Sequence, residues 1–412
     1  MPAVIERRKA VGVESPATES RPSIPTRRQR LVHLDVLRFV AILLVLGRHG
    51  HFEIHPDTWG GGFFATWRHV GWVGVDLFFT LSGFLIGSLL FAELRRHRSL
   101  DVKRFLMRRG LKIWPSYAAY LAVTVSIAFL AAARKGDFAT GFDRVAAFWP
   151  AFLHLQNYWR LDPAETALNA THLWSLAVEE HFYLLLPFCL AGLAATTFWQ
   201  RHALRTITIF ASLFFVGCLA ARIVVSDASA GFDKFALYTP THVRMDSLMA
   251  GVLLAAVVAY RRRTVERLRS ATPLLLLVGA AGVLAIPLFV PRESHFGHTW
   301  GYTLQSAAAC VLVLWAWLRG TDAAANDRAS DNVPLRWAAA IGAYSYSIYL
   351  WHLPYAQKLC DPLNAFVGAH SFGAIAYAIC FVAVSVVGGV AAYRAIEYPV
   401  LRWRDRTIPG RS

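Results

Sequence analysis

Long apolar segments constrain the fold of this chain more than any other feature. Ten blocks approach the ~20 residues needed to cross a bilayer, whereas a soluble domain would show shorter amphipathic stripes. Only 17% of the 412 residues are charged, and 56% are apolar. The sequence therefore predicts an all-α integral membrane protein with about ten transmembrane helices. We expect these near 34–51, 70–92, 113–133, 172–197, 206–225, 241–260, 273–291, 300–318, 338–358 and 372–393.

Lysine and arginine predict the orientation of these helices. If the N-terminus is cytoplasmic, the cytoplasmic segments hold 30 of the 42 basic residues and the opposite segments hold seven. This asymmetry is typical of the positive-inside rule and favours an even number of crossings with both termini in the cytoplasm. We therefore expect a multi-pass protein of the bacterial inner membrane. Basic loops beside helix ends bind anionic lipids, so the net charge of +16 requires no nucleic acid.

The domain organisation is expected to be simple. Residues 1–33 are polar and basic and predict a disordered cytoplasmic tail. No cleavable signal peptide is evident, because the first apolar block starts late and is long. A single membrane domain is expected over 34–393, followed by a short cytoplasmic tail over 394–412. The five cysteines form no C-x-x-C pair and no metal-binding motif is present, so we expect no metal.

Ionisable residues inside the first apolar block are candidates for function, because each costs at least ~2.5 kcal/mol in a bilayer. Arg38 and His49 lie eleven residues apart. On a helix they project from one face, separated by ~16 Å along the axis. One face thus offers a fixed cation and a titratable base. The alternative is that Arg38 pairs with Asp35 while His49 marks the outer interface, and the spacing alone leaves both readings open.

A basic segment precedes the third block and is a candidate phosphate site. Its cations are Arg104, Arg108, Arg109 and Lys112. Guanidinium forks and lysine charges suit the phosphates of CoA. A lipid-facing anchor would have the same composition.

Two adjacent carboxylates, Glu179 and Glu180, enter the fourth block and are followed by His181. Neighbouring residues on a helix point about 100° apart, so the two are expected to act differently. A desolvated carboxylate here would orient a histidine or bind an acceptor hydroxyl. A capping cluster at the membrane interface is the alternative.

Further polar residues in the blocks are candidates for contacts with an acceptor. Asp76 lies in the second block, Arg244 and Asp246 open the sixth, and His352 lies in the ninth. Arg244 and Asp246 can also simply neutralise each other, and His352 can be an ordinary hydrogen-bonded helix residue.

In their order along the chain these blocks resemble the bacterial membrane acyltransferases of acyltransferase family 3. The matching stretches are LDVLR, GVDLFFTLSGFLIG, RRGLKIWP, HLWSLAVEEHFYLLLP, RMDSLMAG, YSYSIYLWH and IEYP. They extend from about residue 31 to residue 405. The resemblance implies transfer of an acyl group, acetyl in particular, from acyl-CoA to a hydroxyl of an exported carbohydrate or glycolipid. Some members acylate macrolides instead.

The resemblance also implies roles for individual residues. Arg38 and His49 match the family's Arg and His in the first helix, Glu179 matches its glutamate, and Arg108 and Arg109 match its basic pair. Two positions depart from the family, since Lys112 stands where Arg is usual and His181 where Gln is usual. Lysine keeps a phosphate contact but not bidentate geometry.

These expectations combine into one mechanistic hypothesis. The basic segment holds the phosphates of acyl-CoA, and its pantetheine arm passes Arg38. His49 removes the proton of the acceptor hydroxyl, and Glu179 orients its imidazole. A covalent acyl-histidine stays open as a variant. The acceptor-binding residues are expected to be Asp76, Glu180, Arg244, Asp246 and His352. An alternative of another class is a proton-coupled transporter.

Overall fold

The computed structural model describes residues 31–51, 61–159, 161, 168–229, 231–367 and 373–410. Over these ranges the chain forms helices and no strands. Most of the predicted N-terminal tail lies outside the described residues, so the predicted domain boundaries stay predictions.

The first half of the chain contains long helices joined by short ones. Their bounds are α1 Val32–His49, α2 Gly61–Val70, α3 Val73–His97, α4 Val102–Ala133, α5 Phe138–Ala147, α6 Trp149–Phe152, α7 Trp174–Ala194 and α8 Thr197–Ala228. In the second half they are α9 Lys234–Leu237, α10 Met245–Tyr260, α11 Arg262–Glu266, α12 Thr272–Phe289, α13 Tyr302–Gly320, α14 Ala323–Asp331, α15 Val333–Ala343, α16 Ser345–Trp351, α17 Gln357–Val367, α18 Gly373–Ala392 and α19 Tyr398–Thr407. Single π-helical turns cover Gly297–Gly301, His352–Ala356 and Tyr393–Glu397.

Seven helical stretches among the described residues are long and apolar enough to cross a membrane. They are Val73–His97, Val102–Ala133, Thr171–Ala194, Thr197–Ala228, Arg262–Phe289, Gly297–Gly320 and Gly373–Thr407. The prediction of a polytopic membrane protein is therefore supported. The count of ten spans and the location of the termini stay predictions.

The other three predicted spans have recognisable reasons for falling short. Helix α1 has only 18 residues, and three of them are charged. Helix α10 is apolar but has 16 residues. The ninth block is broken, because α15 ends at Ala343, α16 has seven residues, and Leu353 leaves helical geometry with φ −114° and ψ 139°. This break places His352 at the end of a helix rather than within one.

Glycines bring α3 and α10 into close contact at the centre of the bundle. A Cβ at Gly83 would lie 1.9 Å from the Leu248 carbonyl oxygen, and one at Gly251 would lie 2.1 Å from that of Thr80. A side chain at either position would force the backbones apart. Gly83 in the second block therefore serves close helix packing.

The outer helices present apolar side chains away from the bundle. Leu213 and Val216 on α8 are each 66% exposed, and Leu277 on α12 is 67% exposed. Such exposure would be costly in water, whereas hydrocarbon surroundings accept it.

Candidate active site

His49 and His352 contact each other at the ends of two helices. His49 ends α1, and His352 follows α16 at the break in the ninth block. The distance between His49 Nδ1 and His352 Nε2 is 3.0 Å. His352 is fully buried, whereas His49 is half-buried. His49 is therefore the partly exposed member of the pair, and His352 is enclosed.

The backbone determines which nitrogen of each ring carries a proton. His352 Nδ1 lies 2.5 Å from the carbonyl oxygen of Tyr349, which can only accept a hydrogen bond. His352 Nδ1 therefore donates, and in the neutral ring Nε2 is an acceptor. His49 must then donate from Nδ1, which leaves the lone pair of its Nε2 available as a base.

Two further side chains hold this pair in place. Gln357 Nε2 donates to the backbone carbonyl of His49. The ring of His172 lies 5.1 Å from that of His352, and its Nε2 lies 3.1 Å from the Leu350 carbonyl oxygen. Three histidine rings, those of His49, His172 and His352, therefore lie next to one another here.

Glu179 belongs to a second cluster. The Tyr183 hydroxyl donates to Glu179 Oε2 at 2.7 Å and accepts from Arg109 Nη2 at 2.5 Å. The Arg109 guanidinium also lies 4.1 Å from the centroid of the Tyr183 ring. Arg109, Lys112 and Arg38 are the cations whose charges act on Glu179. Two residues singled out in sequence, Arg109 and Glu179, are therefore linked through the Tyr183 hydroxyl.

The structure does not join these two clusters by a direct contact among the described side chains. The predicted role of Glu179 in orienting His49 has no contact to support it, and His352 occupies the position next to His49 instead. The ring of Tyr349 is 5.6 Å from that of His352, and its hydroxyl donates to the His172 carbonyl oxygen at 2.9 Å.

Glu180 points away from Glu179, as their neighbouring positions on a helix require. Its Oε2 accepts a hydrogen bond from Trp114 Nε1 at 3.0 Å.

Arg38 Nη1 lies 2.9 Å from Asp35 Oδ1. The ion pair considered for Arg38 from sequence is therefore present.

Arg104 and Arg108 contact the C-terminal segment of the chain. Arg104 Nε donates to the carbonyl oxygen of Pro409 at 2.9 Å. Arg108 donates to the carbonyl of Ile408 and forms an ion pair with Asp405 at 3.0 Å. The predicted phosphate site is thus divided. Arg104 and Arg108 contact the C-terminal segment, whereas Arg109 contacts Tyr183 and the charge of Lys112 acts on Glu179.

The remaining predicted residues form two fully buried ion pairs. Arg244 pairs with Asp76, and Arg222 Nη2 lies 2.8 Å from Asp246 Oδ2. The sequence had left open a direct pairing of Arg244 with Asp246, but each of the two has another partner. Arg222 was not a predicted site residue. A lone arginine in an apolar block signals a buried partner, but the sequence does not name that partner.

Tyr183 was also missed in sequence. It lies four residues after Glu179, a spacing that places both side chains on one helix face. Among the described residues, no three His, Cys, Asp or Glu side chains form a group that could hold a metal ion.

Comparison with known proteins identifies the family of this chain. Residues 31–394 match the acyltransferase domain of acyltransferase family 3. The chain is 28% identical over 381 residues to the peptidoglycan O-acetyltransferase OatA of Listeria monocytogenes, covering 90% of this chain and 56% of that protein. It is 29% identical over 381 residues to the putative peptidoglycan O-acetyltransferase YrhL of Bacillus subtilis, covering 89% and 54%.

The O-acetyltransferase OatA of Staphylococcus aureus is 24% identical over 345 residues, covering 82% of this chain and 53% of that protein. The chain therefore spans about half the length of these curated relatives. No solved structure matches it. Since the family match covers nearly the whole described bundle, the chain belongs to acyltransferase family 3.

Proposed function

We propose that this protein is a membrane O-acyltransferase that moves an acyl group, acetyl in particular, from acyl-CoA to a hydroxyl of an exported carbohydrate or glycolipid. The observation that carries the chemistry is the 3.0 Å contact between His49 Nδ1 and His352 Nε2. It leaves the lone pair of His49 Nε2 outside this contact, where it can act as a base.

In the proposed reaction His49 acts as the general base. Its Nε2 takes the proton of the acceptor hydroxyl while that oxygen attacks the thioester carbonyl, so that a C–O bond forms and the C–S bond breaks. The protonated imidazole then returns the proton to the CoA thiolate. His352 Nε2 accepts a hydrogen bond from His49 Nδ1–H throughout, which orients the His49 ring and stabilises its cation. His352 is thus a positioning residue in this proposal.

The cluster at Glu179 supports a site for the acyl donor. Arg109 and Lys112 have no carboxylate within ion-pair distance among the described residues, so both can meet an anion. Glu179 holds Arg109 through the Tyr183 hydroxyl. Arg38, already paired with Asp35, would contact the pantetheine arm rather than a phosphate.

The names of the relatives favour a carbohydrate acceptor. Two of them are described as peptidoglycan O-acetyltransferases. We therefore propose peptidoglycan or a related glycan as the acceptor class for this chain.

The proposal is tested with the full chain purified in lipid nanodiscs. Acetyl-CoA and soluble peptidoglycan fragments are added, CoA release is followed with a thiol reagent, and the ester is detected by mass spectrometry. His49→Ala should abolish both signals. His295→Ala removes an exposed histidine and serves as the matched control. A transporter would consume no acetyl-CoA, so absence of CoA release from the wild-type protein contradicts the proposal.

A further inference from the structure

A cavity of about 950 Å³ lies at one end of the bundle, where α3, α7 and α10 end and α8 begins. Its walls include the C-terminal turns of α3 and α10 and the first turns of α8. We call it the arginine cavity, because five arginines line it: Arg95, Arg98, Arg201, Arg205 and Arg261.

The positive charge of the arginine cavity is not compensated from within. No Asp or Glu is among its lining residues. Within the described part of the chain, Arg98, Arg201, Arg205 and Arg261 form no ion pair. Among the described residues, the hydrogen-bond partner of Arg95 is a backbone oxygen, that of Ala259. Guanidinium groups gathered without a counter-charge repel one another, so an anion that enters between them is bound favourably.

The N-terminal part of α8 brings two of these arginines to the cavity. Arg201 and Arg205 both line it, and they lie on either side of a kink at His202, which has φ −138° and ψ 45°. Trp199 is buried beside the cavity and Tyr260 is half-buried. The site thus combines arginines with two aromatic side chains.

The size and the donors indicate the class of ligand. Pockets for organic ligands measure about 300–1,000 Å³, and a single phosphate would leave most of this volume empty. The planar forks of arginine match phosphate oxygens two at a time. By contrast, Arg104 and Arg108, which the sequence favoured for phosphates, are bound to the C-terminal segment.

We infer that the arginine cavity binds a ligand that carries two or more phosphate groups. Two sources share this chemistry. One is the nucleotide half of acyl-CoA; this source rests on the proposed function and would place the nucleotide here rather than against Arg109 and Lys112. The other is a diphosphate-bearing lipid such as cardiolipin, which does not depend on it.

Binding is measured directly on the full chain, so no acyl transfer is needed. The variant is Arg201→Gln with Arg205→Gln. The control is Arg262→Gln with Arg263→Gln, which removes the same charge nearby but from side chains that do not line the cavity. The probes are adenosine 3′,5′-bisphosphate for detergent-purified protein and cardiolipin retention in native mass spectrometry. The cavity variant should bind one probe at least about tenfold more weakly, and the control should stay within about twofold.

Each outcome has a defined meaning. Loss of bisphosphate binding identifies the nucleotide as the ligand, and loss confined to cardiolipin identifies the lipid. Unchanged binding of both probes, or equal losses in both double variants, overturns the inference. If the cavity variant unfolds, Arg98→Gln with Arg261→Gln provides a second variant. His49→Ala should keep full binding, which separates this inference from the proposed chemistry.

Discussion

His352 Nε2 lies 3.0 Å from His49 Nδ1, although 303 residues separate the two in the chain. The second nitrogen of His352 is committed to the Tyr349 carbonyl. The two hydrogen bonds therefore run in one direction: His49 Nδ1 donates to His352 Nε2, and His352 Nδ1 donates to the backbone. This leaves His49 Nε2 without a proton.

Replacing His352 tests this direction. His352→Ala should lower kcat by roughly 10²-fold or more, because His49 loses the acceptor that orients it. KM for both substrates should change little. His352→Gln can offer a side-chain oxygen to His49 and should recover part of the activity. Steady-state kinetics at matched membrane levels measure all three proteins, and a rise in KM with unchanged kcat would instead assign His352 to acceptor binding.

Glu179 and Glu180 should differ in their effects on the acyl donor. Glu179→Gln removes the charge that holds Arg109 through Tyr183, so kcat/KM for acyl-CoA should fall by roughly 10²-fold. Glu180→Gln, whose partner is Trp114, should cost less than about tenfold. Tyr183→Phe should resemble Glu179→Gln. Equal losses in the two glutamate variants would mean that the pair acts structurally.

The divided basic segment predicts unequal effects of its cations. Arg109→Gln with Lys112→Gln should weaken acyl-CoA binding, and because both side chains are half-buried the difference should largely persist at high salt. Arg104→Gln with Arg108→Gln serves as the charge-matched comparison and should leave the affinity within about twofold, because these side chains already bind the C-terminal segment. Titration calorimetry with a non-hydrolysable acyl-CoA analogue measures both. A larger loss of acyl-CoA affinity in the Arg104 and Arg108 variant would instead assign the donor site to those two residues.

The buried pair of Asp76 and Arg244 should act on stability. Asp76→Asn leaves a buried guanidinium without its counter-charge and should lower stability by about 3–5 kcal/mol. Adding Arg244→Gln should recover part of that loss, since no lone charge is then left. Thermal unfolding in detergent measures the series. A stable Asp76→Asn protein with a raised acceptor KM would support the acceptor-binding role expected from sequence.

The sequence by itself determined the class of this protein. Apolar blocks of bilayer length require helices, because hydrocarbon offers no partner for a backbone amide or carbonyl. Helical periodicity also separated Glu179 from Glu180, and their partners differ as expected. The ordered motifs indicated acyltransferase family 3, which the match over residues 31–394 confirmed.

Only the tertiary structure decided which polar residues meet. Periodicity places a side chain on a face of its own helix, but it does not say which helix covers that face. The contact of His49 with His352 and the ion pair of Arg244 with Asp76 therefore could not be read from the sequence. The break after Trp351 was equally hidden, because an apolar block looks continuous whether or not its backbone is helical. Each pairing depends on how the helices pack, and packing is a property of the whole chain.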